Sequence, residues 1–318
     1  MPFSKKEAKK VGKVKTKSPG GGWRKRNTRT AYLFILPWII GFVCFTLFPI
    51  IFMFATSLTN RKLNGVSEYV GFANYKNMFA SDIFWNSVKV TLFFTVIMVI
   101  VTTIWAVIMA LLLNQKQKLN GIFQFCYFLP SVIPSVALAY AFRTLFGKEA
   151  GLFNAFLSFF AGKNVAVNWL YNHNTVYIVV FFITLFTYNT GQMMLIFRSG
   201  LSDVPAELYE ACDLDGAGAF TKFFNITLPM ISPLVLFNAV NGCVSALNGS
   251  FALLYPLTGE GGDPDGMTQV LSLLIYKEAF SSMKVGYACA LSVILFIIAA
   301  FFGIILFGVS KKLVYYEN

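Results

Sequence analysis

Histidine occurs once in 318 residues, at His173. That scarcity sets aside most metal chemistry, because a metal site needs several converging donors. The five cysteines (Cys44, Cys126, Cys212, Cys243, Cys289) stand singly, with no CxxC spacing. A disulfide framework is therefore not expected. Four of them fall in hydrophobic stretches, where Cys behaves as a small apolar residue. No GxxxxGK[ST] phosphate cradle is present, so the chain is not expected to hydrolyse ATP by itself. GxSxG and HExxH are missing as well. Charge is also scarce: Asp, Glu, Lys and Arg make up 13% of the chain, about half the usage of a soluble domain. Within the apolar stretches the formal charges are Lys89, Arg143, Arg198 and Lys284, all near ends where long side chains can snorkel. Carboxylates at depth, which mark proton relays, are lacking. An ion-coupled secondary transporter would need an intramembrane ion site, and an intramembrane enzyme a catalytic dyad at depth. The residues favour neither.

What is abundant is apolar surface. The chain is 57% hydrophobic and holds 35 Phe, more than one soluble core of this size can hide. A spanning helix needs roughly 20 apolar residues. Six segments qualify, at 31–58, 86–113, 123–146, 176–198, 231–254 and 286–309. An all-α integral membrane protein of about six transmembrane helices follows, serving transport rather than catalysis. The first and third segments contain prolines (Pro37, Pro49; Pro130, Pro134), which spanning helices tolerate when neighbours satisfy the freed carbonyls.

The net charge of +12 is concentrated: residues 1–30 hold eleven Lys/Arg against the single acid Glu7. A basic tail ahead of an apolar segment reads as cytoplasmic, facing anionic lipid, and not as a nucleic-acid site. With residues 1–30 inside, 31–318 form the transmembrane domain and both termini are cytoplasmic. The inner loops then include Lys116 and Lys118, the segment 199–230, and the Lys311-Lys312 pair. The outer loops are 59–85, 147–175 and 255–285. The last of these carries the turn-rich run Gly259 to Gly266, which suits neither helix nor strand interior.

The inner loop between the fourth and fifth segments is the most specific. Ser202 or Asp203 can cap a helix and Pro205 suits its first turn. Leu208, Ala211 and Cys212 form one apolar face, and Gly216 is a natural stop. A second short helix is expected from Ala219 to Asn225. A short helix across the membrane surface with small residues at its tip suits a groove on a partner.

Glu210-Ala211-Cys212, Gly216-Ala217 and Ile226-x-Leu228-Pro229 resemble the EAA loop of permease subunits of binding-protein-dependent ABC importers. Cys212 stands where that pattern usually has Ala. Leu36-Pro37, Phe48-Pro49-Ile50, Tyr69-Val70-Gly71-Phe72-Ala73-Asn74-Tyr75, Leu129-Pro130 with Ile133-Pro134, and Leu257-Thr258-Gly259-Glu260-Gly261-Gly262 are similar, in order and spacing, to the carbohydrate branch. The resemblance implies a type I ABC importer permease fold in a bacterial inner membrane. It also implies coupling to an ATPase through Glu207, Glu210, Ala211, Cys212, Asp215, Gly216, Ala217, Leu228 and Pro229. The implied partners are a homologous second permease in a heterodimer, two ATPase subunits that carry ATP and Mg, and an extracytoplasmic solute-binding protein. No cofactor is implied for this chain itself.

Polar residues recur inside the apolar segments. Asn238, Asn241, Ser245 and Asn248 lie at spacings of 3, 4 and 3, and Thr184, Tyr188 and Gln192 at 4 and 4. Each set falls on one helix face. Such groups either bind helices together or line a path for a hydroxyl-rich solute, and spacing alone leaves both readings open.

Overall fold

The computed structural model describes residues 21–65, 67–115, 118–149, 151–187 and 189–313. The chain divides into two compact units between Phe52 and Met53. Residues 1–20 of the basic tail lie outside the described residues. Helix begins at Gly21, inside the segment expected to be tail.

The apolar run Thr30–Ser57 is one helical span, α1. It contains a π turn at Val43–Leu47. Pro49 explains it: proline lacks an N–H and its ring crowds the carbonyl four residues back, so the local ladder widens.

In the second unit follow α2 (Ala73–Phe79), α3 (Asp82–Asn114), α4 (Asn120–Val132), α5 (Ser135–Leu145), α6 (Leu152–Ala161) and α7 (Val176–Thr187). Then come α8 (Thr190–Asp203), α9 (Ala206–Leu214), α10 (Ala219–Met230), α11 (Ser232–Thr258), α12 (Leu271–Tyr276) and α13 (Val285–Leu313). Among the described residues the β pairing is one isolated bridge, Thr59 to Tyr69.

The 33 residues of α3 make it roughly 50 Å long, more than the hydrocarbon thickness of about 30 Å. Its buried face runs Ser87, Thr91, Phe94, Met98, Thr102, Ala106, Ala110 and Leu113, in steps of three and four. This face packs along α8 and α11. One core joins Phe94 and Met98 to Val180 of α7 and Ala246 and Leu254 of α11. A second joins Ala106 and Ala110 to Met193 and Phe197 of α8 and to Ile231. In lipid such seams are held by close packing more than by exclusion of water.

Three described helices are long and apolar enough to cross a bilayer, and three bent pairs bring the number to six if each pair is one span. Six spans, counted so, match the expected number, and three of them are bent. Between α4 and α5 the axis turns by 101°, because Pro134 drives Ile133 out of the helical region, to φ −74°, ψ 136°. A bend of 68° separates α10 from α11, and one of 47° separates α7 from α8. The outer segments expected as loops contain α2, α6 and α12, while Gly259 to Gly266 is a turn as expected, with four of its residues at positive φ.

Candidate functional site

Two places concentrate polar side chains that the helix ends and breaks have brought together. The first is α9. The expected caps Ser202 and Asp203 do not cap it, because α8 runs on to Asp203 and Pro205 occupies the N-cap position instead. Pro205 keeps Val204 extended at ψ 123°, which turns the chain sharply from α8 into α9. Glu207 lies in the first turn, where a carboxylate complements the helix dipole. The helix stops at Gly216, at φ +73°. There the Ala217 N–H donates to Cys212 O at 2.9 Å and the Gly216 N–H to Asp213 O at 3.1 Å.

No residue of α9 is buried. Glu207, Leu208, Glu210, Ala211, Asp215 and Gly216 are exposed, and Cys212 and Ala217 are half-buried. Leu214 at the tip is 90% exposed and Phe220 just beyond is 83% exposed. An apolar helix tip left this bare is the kind of surface that a partner covers. Leu228 and Pro229 are not part of this exposed surface. They sit half-buried at the foot of α10, after a π turn at Phe223–Thr227 that Pro229 induces as Pro49 does in α1. The expected helix Ala219–Asn225 therefore continues to Met230.

Two contacts that the sequence did not suggest hold α9 in place. Half-buried Tyr209 hydrogen-bonds through its hydroxyl to Thr227 Oγ1 at 2.9 Å, and Thr227 is buried. Lys222 pairs with Asp213 across the turn. Tyr209 lies between Leu208 and Glu210 and breaks no pattern, so only its partner reveals its role.

The second place is a cavity of 370 Å³ between α8 and α11, lined by Asn189, Gln192, Phe237, Asn238, Asn241 and Ser245 among others. Its size is within the roughly 300–1,000 Å³ of small-molecule sites. Four residues singled out by spacing meet here: Gln192, Asn238, Asn241 and Ser245. Asn248 is exposed on α11 and does not line the cavity. Tyr188 lies outside the described residues. Thr184 is buried and donates to Val180 O at 2.6 Å. Its hydroxyl is satisfied within its own helix, and the bend after α7 takes it off the face that carries Gln192.

Asn238 is 1% exposed, and its Nδ2 has no hydrogen-bond partner among the described residues. A buried amide donor left so costs about 1–3 kcal/mol. The polar lining residue that spacing did not reveal is Asn189. It enters through the helix break and donates from Nδ2 to Ser245 Oγ at 2.7 Å. Asn241 donates to Phe237 O at 3.1 Å, leaving amide valences for the cavity. None of the lining residues carries a formal charge, so the site suits a neutral solute with many hydroxyls. Among the described residues no group of three His, Cys, Asp or Glu could hold a metal.

The family described as "Binding-protein-dependent transport system inner membrane component" matches residues 102–314, a stretch that contains both places. The chain is 35% identical over 297 residues to the "Probable ABC transporter permease protein YesP" of Bacillus subtilis (strain 168), covering 92% of this chain and 94% of that protein. It is 30% identical over 288 residues to the trehalose/maltose transport system permease protein MalF of Thermococcus litoralis, covering 90% and 95%. In fold it is similar to a chain of a bacterial ABC transporter that imports the acidic polysaccharide alginate. The TM-score is 0.79 at 20% identity, covering 92% of this chain and 99% of that one.

Proposed function

Since this chain belongs to the family of binding-protein-dependent transport system inner membrane components, we propose that it forms half of the translocation pathway of an ATP-driven importer of sugars or oligosaccharides. The observation that carries the reading is the uncharged, amide-lined cavity between α8 and α11, with Asn238 Nδ2 waiting for an acceptor. A sugar hydroxyl supplies that acceptor and takes up the cost of the unpaired donor. The trehalose/maltose and arabinooligosaccharide permeases among the relatives support this substrate class.

ATP and Mg belong on a separate ATPase subunit, which seats the exposed tip of α9 in a groove. Closure of two such ATPases moves α9 of this chain and its counterpart in a homologous second permease. Tyr209 and the Lys222–Asp213 pair pass that motion to α10 and the bent foot of α11, which carries the cavity residues. The solute arrives on an extracytoplasmic binding protein. The solved alginate transporter in complex with its periplasmic protein supports such a partner. Both termini and α9 then face the cytoplasm.

The substrate reading is tested with Asn241→Ala and Asn248→Ala, each assayed for complex yield and for transport of several sugars. Altered selectivity per complex for Asn241→Ala, with Asn248→Ala unchanged, is expected. Reduced yield with unchanged selectivity in Asn241→Ala would make these amides interhelical glue and refute the reading.

A further inference from the structure

Outward of the amide cavity four aromatic rings form a continuous patch. Phe251 and Tyr255 stand on α11, Tyr276 ends α12, and Phe280 follows in the π turn Lys277–Ser281. Tyr276 is the hub: its ring centroid lies 4.8 Å from that of Phe251, 5.1 Å from Tyr255 and 5.0 Å from Phe280. None of the four lines the amide cavity. We infer that these rings are a second sugar-binding platform, which stacks one ring of an incoming oligosaccharide while the inner end of the same chain occupies the cavity, an assignment that rests on the sugar-importer reading above.

Position along α11 is the first support. Tyr255 comes fourteen residues after Asn241 on this helix, close to four full turns and roughly 21 Å along the axis. It therefore shares the helix face that Asn241 turns to the cavity, one short oligosaccharide length farther out. Linked sugars can span the two places at once, whereas a monosaccharide occupies one at a time.

The platform is held from both ends. Phe251 and Tyr255 pack on the core that contains Phe94 and Met98, and they stack on each other at 5.3 Å with planes 26° apart. At the outer end Ser281 Oγ donates to Glu260 Oε2 at 2.8 Å, which ties the π turn to the turn after α11. That π turn sets Phe280 one step beyond Tyr276, and such turns recur at functional sites. Tyr255 and Tyr276 are half-buried, and Phe280 is 58% exposed. Packing alone accounts for Phe251 but not for Phe280, whose ring leaves the core and is kept beside the other three.

The chemistry of the patch fits a sugar. A sugar ring has a face of C–H groups that carry partial positive charge, and a rim of hydroxyls. The negative face of an aromatic ring attracts the first. Tyr255 and Tyr276 offer the second a hydroxyl each, able to donate and to accept. Glu260 beside Phe280 marks this edge as wet, because a carboxylate is costly against lipid. Aromatic walls with a few polar groups are the usual lining of a small-molecule site. Stacking accepts any sugar with a C–H face, so the platform reads chain length, while the amides of the cavity read hydroxyl positions.

The test measures ATP-driven uptake in proteoliposomes by the full complex, with its second permease, ATPases and binding protein. The probes are labelled glucose, maltose, maltotriose and maltotetraose, with arabinose and arabinotriose beside them. The readout is the ratio of uptake of the longest to the shortest saccharide transported. The binding protein is the same throughout, so its own preference cancels between variants. Tyr276→Leu and Phe280→Leu should each lower the ratio roughly fivefold, and Tyr276→Phe and Phe280→Trp should keep it. An unchanged ratio in Phe280→Leu overturns the inference. So does a loss that is equal at every length, which would make the rings a packing contact or a seam to the second permease. Should Tyr276→Leu fail to assemble, the two Phe280 variants decide. Transport of monosaccharides alone by the unaltered complex overturns the platform and leaves the importer reading standing. Uptake of none of the probes by the unaltered complex defeats the sugar-importer reading, and the platform with it.

Discussion

Gly216 offers a way to separate the shape of the coupling turn from its seating in a partner. Its φ of +73° lies in the left-handed region, and an added Cβ would meet nothing within 4 Å. A side chain there costs only backbone strain in this chain, and any further loss must arise in the partner. For Ala that strain is about 1 kcal/mol, or roughly fivefold in the population of the formed turn. Asn enters the same region more readily and replaces Gly at helix ends. Gly216→Asn should therefore form the turn better than Gly216→Ala. Gly216→Asp strains the backbone about as little as Asn but places a charge at the tip, beside exposed Leu214. If the tip seats in an apolar or acidic groove, Gly216→Asp abolishes uptake although the protein inserts normally. Gly216→Ala should retain part of it. Uptake in membrane vesicles and ATPase co-purification are measured together for the three variants. Normal uptake by Gly216→Asp refutes the coupling role of α9. Equal loss in Asp and Asn variants would instead show that bulk matters and not charge.

Other outcomes follow from the same geometry. Asn238→Leu removes an unpaired buried donor, so the detergent-purified complex should melt at a higher temperature while sugar uptake falls; a destabilised complex would mean that Asn238 is satisfied by a neighbouring helix. Tyr209→Phe loses the bond to Thr227, worth about 1 kcal/mol. It should weaken ATPase stimulation by solute with little change in expression, and unaltered stimulation would remove Tyr209 from the coupling path. Cysteine labelling should find positions near Lys116 and Asp215 protected from an impermeant reagent outside the cell, and those near Asn172 and Asp263 reactive; an external Asp215 would invert the whole orientation.

Much of this architecture was legible in the residues because lipid imposes a simple rule. The runs that became α3 and α13 are long and apolar, and their existence needs no tertiary information. The breaks were harder. Pro130 and Pro134 look alike in sequence, yet Pro130 stays inside α4 while Pro134 ends it with a 101° turn. What neighbours satisfy, and hence which proline bends the chain, is a property of the packed bundle. The polar stripe shows the same limit. Periodicity brought Asn238, Asn241 and Ser245 to one face of α11, but on the other wall it presumed a straight helix. The break after α7 removed Thr184 from the cavity and admitted Asn189. In α9 the stop at Gly216 followed from glycine's freedom at positive φ, whereas the start was misplaced because α8 consumed Ser202 and Asp203.

The proposed function requires that this chain conduct sugar only when an ATPase drives it. The most direct measurement reconstitutes the chain in proteoliposomes with its second permease, with or without the ATPase subunits and the solute-binding protein, and follows labelled sugar. Uptake is expected only when ATPase, ATP and binding protein are all present, with no response to proton or sodium gradients. Uptake driven by an ion gradient without the ATPase would contradict it and establish a secondary transporter.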